Sequence, residues 1–343
     1  MTGAVWESVH VFRHDDHDDL LLTQVAPLMA ELVADGLVLG FFYLRYWDGG
    51  PHLRLRMRTS AARTGEVRAR VTDRLGAHLR AHPSRHPMDP AGYKRLAADF
   101  AAAENLSVYE RHLLPPDTIR AVPYPPEHAS FGHGTSLAAV ERHFCASTAI
   151  ALDTLRTPPS QRLSAAMTMT LATLLSLPTA PPGTPVPDRA RMMMNGAPPA
   201  PSPTATSGTT SDATSGTATD AATGTATDAA SGTATDATSD VQQAKAAWAR
   251  SRDELTAMAE RLRTTDPATA PHVPVLAWLG SVRELRDRLT TLQLQGAFSP
   301  AYPRPITHAL NRCLHLHLNR LGTSLTQEAR LRRMAALTVD SLR

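Results

Sequence analysis

Two short stretches of this 343-residue chain carry side chains of the kind that chemistry needs. The first is HLRLRMR (52–58). Successive side chains of an extended strand alternate between faces, so His52, Arg54, Arg56 and Arg58 share one face and Leu53, Leu55 and Met57 the other. Three arginines in a row repel one another unless something anionic or carbonyl-rich lies opposite. Arginine suits such a partner because its planar fork donates paired hydrogen bonds and stays charged. The same pattern also serves an exposed edge strand, where charge prevents aggregation, and the spacing leaves both readings open. The second stretch is PITHALNRCLHLHLNRLG (305–322). At helical periodicity His308, Arg312, His315 and Asn319 form one polar stripe, while Leu310, Leu314, His317 and Leu321 form a mainly apolar one. A neutral imidazole beside an arginine and an amide can act as general acid or base near neutral pH; an exposed helix face is the plainer reading. His315 and His317 point to different sides, which argues against a two-histidine metal site on this helix. HDDHDD (14–19) has no fixed ligand spacing and reads as a solvated acidic turn at a helix N-terminus. No GxSxG, P-loop or strand-borne GxGxxG occurs, so hydrolase, kinase and nucleotide-dehydrogenase readings have no support.

The elements around these stretches follow from periodicity. Trp6, Ser8 and His10 alternate with Val9 and Val11 as a strand. Leu21, Val25, Leu28, Met29 and Leu32 recur at helical spacing up to Gly36. VLGFFYLRYW (38–47) reads as a buried strand, and DGGP (48–51) joins it to the arginine strand as a hairpin. Helices are expected at 61–82, 90–107, 136–156 (with Ser136 as N-cap) and 160–176, then at 241–264, 272–295, 304–321 and 325–342. PPDTIRAVPYPPEHASFGHGT (115–135) holds too many Pro and Gly for regular structure and reads as an extended loop. The fold class expected is α+β: a mostly antiparallel N-terminal sheet covered by helices, a helical C-terminal part and one long disordered insertion. The insertion centres on A-x-[TS]-G-T-A-T-D, repeated three times at period 8 over 213–236, whose side chains are too small to offset their ordering entropy. The organisation expected is one domain built from 1–177 and 241–343, interrupted by a flexible Thr/Ala/Gly/Asp-rich segment at 178–240.

Composition narrows the function. The formal charge is +3, yet the tract from Ala197 to Asp240 holds five aspartates and no Lys or Arg, so the remainder carries +8. A basic body suggests an anionic partner, either an acidic peptide or nucleic acid. No helix-turn-helix, RNP or zinc-finger pattern supports nucleic acid, and aromatics are only 5%. Two cysteines exclude a disulfide framework and fit a reducing cytoplasm. No signal peptide and no apolar run of membrane-spanning length are read from the chain, so a cytoplasmic location without membrane contact is expected.

With these residues in hand, the chain resembles the C-terminal, glutamate-eliminating domain of lantibiotic dehydratases, including its stand-alone thiopeptide-pathway members. FFYLRYWDGGPHLRLRMR, AVPYPPEHASFGHGTSLAAVERHF and CLHLHLNRLG match its landmarks in order, over roughly 6–175 and 241–343. The resemblance implies that Arg54 and Arg56 contact substrate and that His315 transfers a proton. Eliminating members also carry an arginine in an E-R-Y-G-G motif, but here that segment is ASFGH (129–133), with Ser130 and Phe131; an Asp-Ser pair on the next helix is Ala146–Ser147. A glutamyl leaving group needs a cationic clamp, so the loss argues against elimination. In that respect the chain is more similar to thiopeptide pyridine synthases, which join two dehydroalanines by a formal aza-[4+2] cycloaddition and expel water and the leader peptide. The resemblance then implies a precursor peptide (leader and dehydrated core) as partner, with other pathway enzymes nearby, and no cofactor. It implies His315, Tyr302 and Ser299 as catalytic groups, and Arg54, Arg56, His52, Asn319 and Arg312 as substrate-binding groups. A glutamate eliminase using His128 or His133 for the missing cation, and a non-catalytic peptide-binding partner of a dehydratase, are the alternatives.

Overall fold

The computed structural model describes residues 3–103, 106–178, 234–298 and 304–342. The alternating N-terminal segment forms β1 (Ala4–Phe12). The hairpin supplies β2 (Gly40–Tyr46) and β3 (His52–Ser60), joined by a tight turn in which Gly49 and Gly50 take positive φ. A Cβ on Gly49 would lie 2.8 Å from Leu114 Cδ1, and one on Gly50 2.8 Å from Leu113 Cδ1, so conformation and space both demand glycine there. A fourth strand, β4 (Thr118–Ala121), pairs with β1, and the antiparallel sheet has the order β2-β3-β1-β4. β4 lies within the stretch expected to be irregular. Its prolines flank the four-residue strand and do not interrupt it.

β3 is therefore an inner strand, which removes the edge-strand explanation of its arginines. One sheet face presents Val9, Val11, Tyr43, Leu53, Leu55 and Met57 to helices. Covering it are α1 (His17–Leu20) and α2 (Ala26–Ala34), joined by the π-helical turn Leu21–Val25, and then α3 (Thr64–Ala81), whose Val67, Val71, Leu75 and Leu79 repeat every fourth residue. The opposite face, which carries the arginines, is covered as well. There Phe42 and Leu44 join a core built from α6 (Thr135–Leu155), α7 (Pro159–Ser176), α8 (Ala234–Thr264), α9 (Pro274–Leu294), α10 (Pro305–Arg320) and α11 (Leu325–Ser341). Helix α8 starts seven residues before the expected 241. Before the hairpin's outer end packs α4 (Pro90–Ala103), and between β4 and α6 lies the single turn α5 (His128–Phe131).

Two local expectations are corrected. Ser136 is not the N-cap of α6: Gly134 holds that position, and the Ser136 hydroxyl donates to the His133 carbonyl from within the first turn. HDDHDD is not simply solvated. Asp16 does cap α1 by accepting from Asp18 N, but His17 is buried, and Asp18 receives Arg45 and Arg162 at 2.5 Å each. The repeat tract up to residue 233 lies outside the described residues. Among the described residues no helix is long and apolar enough to cross a membrane.

Candidate active site

The strand register sets the arginines against aromatic rings. Arg54 faces His10 on β1 and Leu44 on β2; Arg56 faces Ser8 and Phe42. The Arg54 guanidinium lies 3.2 Å from the centre of the Tyr46 ring, and its Nε donates to His52 Nε2 at 3.4 Å. His52 Nδ1 in turn donates to the Gly50 carbonyl at 2.9 Å. Burial, His10 and Arg54 hold the His52 pKa well below the usual imidazole range, so the ring is neutral and serves as an acceptor that orients Arg54. Arg56 sits between Tyr124, 4.6 Å from the ring centre, and Phe42, 5.5 Å away. Interleaved rings thus do for these buried cations what separation in water does for exposed ones.

Tyr124 belongs to the Pro-rich segment between β4 and α5, which crosses the arginine face as a strap. Its hydroxyl donates to Glu141 on α6 at 3.1 Å. Three residues on, Glu127 pairs with Arg312 of α10 at 3.2 Å, both side chains nearly buried. Ser130 is half-buried in the same strap, and Phe131 packs edge-on against Phe144 at 5.5 Å. His128 and His133 stack at 4.2 Å beside it.

Helix α10 lies across β2 and supplies the remaining groups. His315 Nδ1 donates to Glu328 Oε2 at 2.7 Å, and Arg332 Nε donates to Glu328 Oε1 at 2.6 Å. Both residues belong to α11, whose start is set by a capping box of Ser324 and Gln327. Burial would raise the Glu328 carboxyl, but His315 and Arg332 override it and pull its pKa down to about 2. The bond through Nδ1 fixes the orientation of the His315 ring.

The polar stripe expected on α10 divides. His308 is partly buried, and burial together with Arg312 lowers its pKa. Asn319 is turned into the fold: its Oδ1 accepts from Arg45 N and its Nδ2 donates to the Arg45 carbonyl, both at 3.0 Å. That amide continues the hydrogen bonding of β2, so the expected substrate contact gives way to a structural one. His317, assigned to the apolar stripe, is fully buried, stacks on Trp278 at 4.1 Å and accepts from the Ser147 hydroxyl at 2.8 Å. Ser147 also accepts from Arg320 Nη1 at 3.1 Å. Arg320 is buried between Phe42 and Phe144, and burial lowers its pKa to about 10, which leaves it protonated at neutral pH. Ser299 and Tyr302 lie outside the described residues. Sequence reasoning did not single out Tyr124 or Glu127, whose partners Arg56 and Arg312 lie far along the chain, or Glu328, which only the packing of α10 on α11 brings to His315.

Arg54 and Arg56 thus lie on the sheet face that the second helical core covers, and α10 of that core carries Arg312 and His315. Such an arrangement can donate hydrogen bonds to carbonyl oxygens and move a proton. Comparisons with known proteins agree with this architecture. The family model described as lantibiotic biosynthesis dehydratase C-term matches residues 6–339. Among solved structures, TbtD, a pyridine synthase from thiomuracin biosynthesis, is 22% identical over 98% of this chain and 98% of its own, with a TM-score of 0.68. TsrL is 18% identical over 99% of this chain and 95% of its own, with a TM-score of 0.57. The tRNA-dependent lantibiotic dehydratase MibB from Microbispora sp. 107891 is 19% identical over 98% of this chain but 28% of its own, with a TM-score of 0.52. At these identities the likeness is one of fold. No curated protein sequence matches the chain.

Proposed function

The chain belongs to the lantibiotic biosynthesis dehydratase C-terminal family, and from that premise we propose that it is a thiopeptide-type pyridine synthase acting on a dehydrated precursor peptide. The observation that carries this reading is Ser130. Where eliminating members of the family carry an arginine for the leaving glutamate, the strap here carries the half-buried Ser130, which brings no cation. The near end-to-end likeness to TbtD supports the same choice. The reaction is balanced without an oxidant. One dehydroalanine and its amide, as the iminol tautomer, form two C–C bonds to the second dehydroalanine, and the ring then loses water and the leader peptide to become a pyridine.

Most of the barrier is positional, since holding two ends of one peptide in reacting geometry is worth about 7–11 kcal/mol. In this reading Arg54 and Arg56 donate to amide carbonyls, His52 and Tyr46 fix the Arg54 fork, and Arg312 takes part in binding from the strap side. His315, oriented by Glu328, moves the proton that makes the iminol and the one that leaves with water. Ser299 and Tyr302 remain candidate donors. One observation favours the eliminase alternative: the stacked His128 and His133 stand beside Ser130 and supply a cation when protonated.

Mass spectrometry of the chain with a dehydrated, azole-containing precursor tests the choice. A pyridine synthase gives a macrocycle and a released leader. Arg54→Ala and Arg56→Ala slow turnover, and His315→Ala lowers the rate by about 10²–10⁴-fold with binding retained. Conversion of glutamylated serine to dehydroalanine, increased by Ser130→Arg and without leader release, would replace this reading with the eliminase.

A further inference from the structure

Arg320, the last residue of α10, is a fully buried cation that the chemistry proposed above does not employ. Its Nη1 donates to the Ser147 hydroxyl at 3.1 Å, while Nε and Nη2 meet no partner among the described residues. The side-chain groups that act most strongly on its charge are Tyr43, Cys313, Cys145 and Arg56. None of these is an anion. Burial pushes the Tyr43 hydroxyl up to about 12 and the Cys145 thiol up to about 11, and it raises the Cys313 thiol as well, so all three are neutral near pH 7. Arg56 is a second cation. Its guanidinium lies 5.5 Å from the centre of the Phe42 ring, and that of Arg320 lies 6.0 Å from the same centre.

A guanidinium taken out of water without an anion is costly, and a well-packed apolar side chain of similar volume serves stability better. The fold nonetheless holds this one in place. The centre of the Phe144 ring lies 5.2 Å from it and adds a second aromatic contact. Ser147 accepts its hydrogen bond because the serine proton is committed to His317 Nδ1 at 2.8 Å. Burial keeps His317 neutral, and Trp278 stacks on it at 4.1 Å. A chain of side chains, from Trp278 through His317 to Ser147, thus fixes a charge that no carboxylate balances.

We propose that Arg320 is a positioning residue of the site: its unbalanced charge keeps the interior beside Arg56 positive, and a substrate oxygen that gains negative charge is thereby held more tightly on Arg56. The inference rests on the pyridine-synthase reading, in which Arg56 donates to an amide carbonyl. Conversion of that amide to its iminol moves one proton from nitrogen to oxygen. When the N–H proton leaves first, negative charge collects on the oxygen until the proton returns there. In a site of low dielectric a fixed cation acts over several ångströms, beyond the range of contact. Charge that exists only on the way to the iminol is stabilised in the rate, so Arg320 acts on kcat more than on KM. A carboxylate beside Arg320 would cancel the effect, and the groups that surround it include none among those acting most strongly on its charge.

Urea unfolding and steady-state turnover of the dehydrated precursor, both measured on the full chain, test the role. Arg320→Met removes the charge and fills its space. Its urea midpoint should equal or exceed that of the wild type, while kcat falls by about tenfold and KM stays within about twofold. Arg320→Lys restores the charge and should keep kcat within about threefold of the wild type. Arg56→Ala combined with Arg320→Met should match Arg56→Ala alone within about twofold in kcat, because Arg320 acts through Arg56. A lower midpoint or an insoluble Arg320→Met makes the residue structural and overturns the proposal. So do an unchanged kcat, a loss that Lys does not restore, or losses that multiply in the double variant. The urea arm needs no reaction. If the wild type releases no leader and forms dehydroalanine from glutamylated serine, the pyridine-synthase reading fails, and the same kcat comparison on that substrate decides the role of Arg320.

Discussion

Glu328→Gln is the most informative single change to the candidate site, because its effect on stability and on turnover can be worked from the same contacts. The carboxylate is buried and receives His315 at 2.7 Å and Arg332 at 2.6 Å. Its pKa of about 2, against an ordinary 4.5, corresponds to about 3 kcal/mol of preference for the ionised form in the folded chain. The folded carboxylate binds its proton more weakly than the unfolded one does. That stabilisation is therefore complete above about pH 4.5 and is lost as pH falls toward 2. The amide is isosteric but uncharged, and it leaves the Arg332 guanidinium without its anion. Urea titrations of both proteins should show Glu328→Gln less stable by about 3 kcal/mol from pH 5 to 7, with the curves converging between pH 4.5 and 2. Turnover per folded molecule should fall by about tenfold or more at neutral pH, because His315 loses the group that sets its tautomer and direction. Equal stability across the whole range would refute the argued ion-pair arrangement. Lower stability with unchanged turnover would leave the triad structural and remove His315 from the chemistry.

Asn319→Ala should cost about 2–4 kcal/mol in urea unfolding, since it strips partners from both backbone groups of a buried residue, Arg45; turnover per folded molecule should fall with it. Gly49→Ala should destabilise by about 1–2 kcal/mol, because φ at this position is +84° and the new Cβ meets Leu114; an unchanged melting temperature would contradict the turn geometry. Deleting residues 200–233, which precede α8, should leave yield, stability and turnover nearly unchanged, because chain length between fixed ends adds little closure entropy and the repeat has almost no side chain larger than Thr. Activity loss beyond severalfold would assign that tract a role.

What could be read in the sequence was whatever is written at short range. Alternation placed His52, Arg54 and Arg56 on one face of β3, and the fourfold repeat in α3 announced its buried side. Two facts set by distant pairing were not readable. The first is that β3 lies inside the sheet, which depends on β1 pairing along its other edge. The second is that Asn319, at helical spacing from His315 and Arg312, has no place on their stripe because the Arg45 backbone captures its amide. β4 escaped notice because prolines on both sides mask a four-residue strand. Glu328 was hidden for a related reason: a glutamate just inside a capping box looks like favourable charge at a helix start, and only the packing of α10 on α11 turns it toward His315.

The C-terminal turn of α10 explains how a site assembled from distant segments keeps its geometry. The Arg320 carbonyl accepts from the Tyr43 hydroxyl and from Arg45 Nε, both at 3.1 Å, and Asn319 adds its two bonds to Arg45. These four hydrogen bonds join α10 to β2, and β2 in turn fixes β3 by pairing Leu44 with Arg54 and Phe42 with Arg56. One helical turn before Asn319 stands His315, and nearly one turn before that Arg312 holds the strap through Glu127. The placement of His315 relative to the two arginines is therefore set by buried hydrogen bonds to backbone groups and by a strand register, neither of which yields without loss of buried pairing. A reaction whose barrier is largely a matter of position needs such rigidity, because a displacement of about 1 Å can cost 10²-fold in rate. The aromatic rings complete the arrangement. Tyr46, Phe42 and Tyr124 hold the Arg54 and Arg56 guanidinium groups against their rings on that face of the sheet.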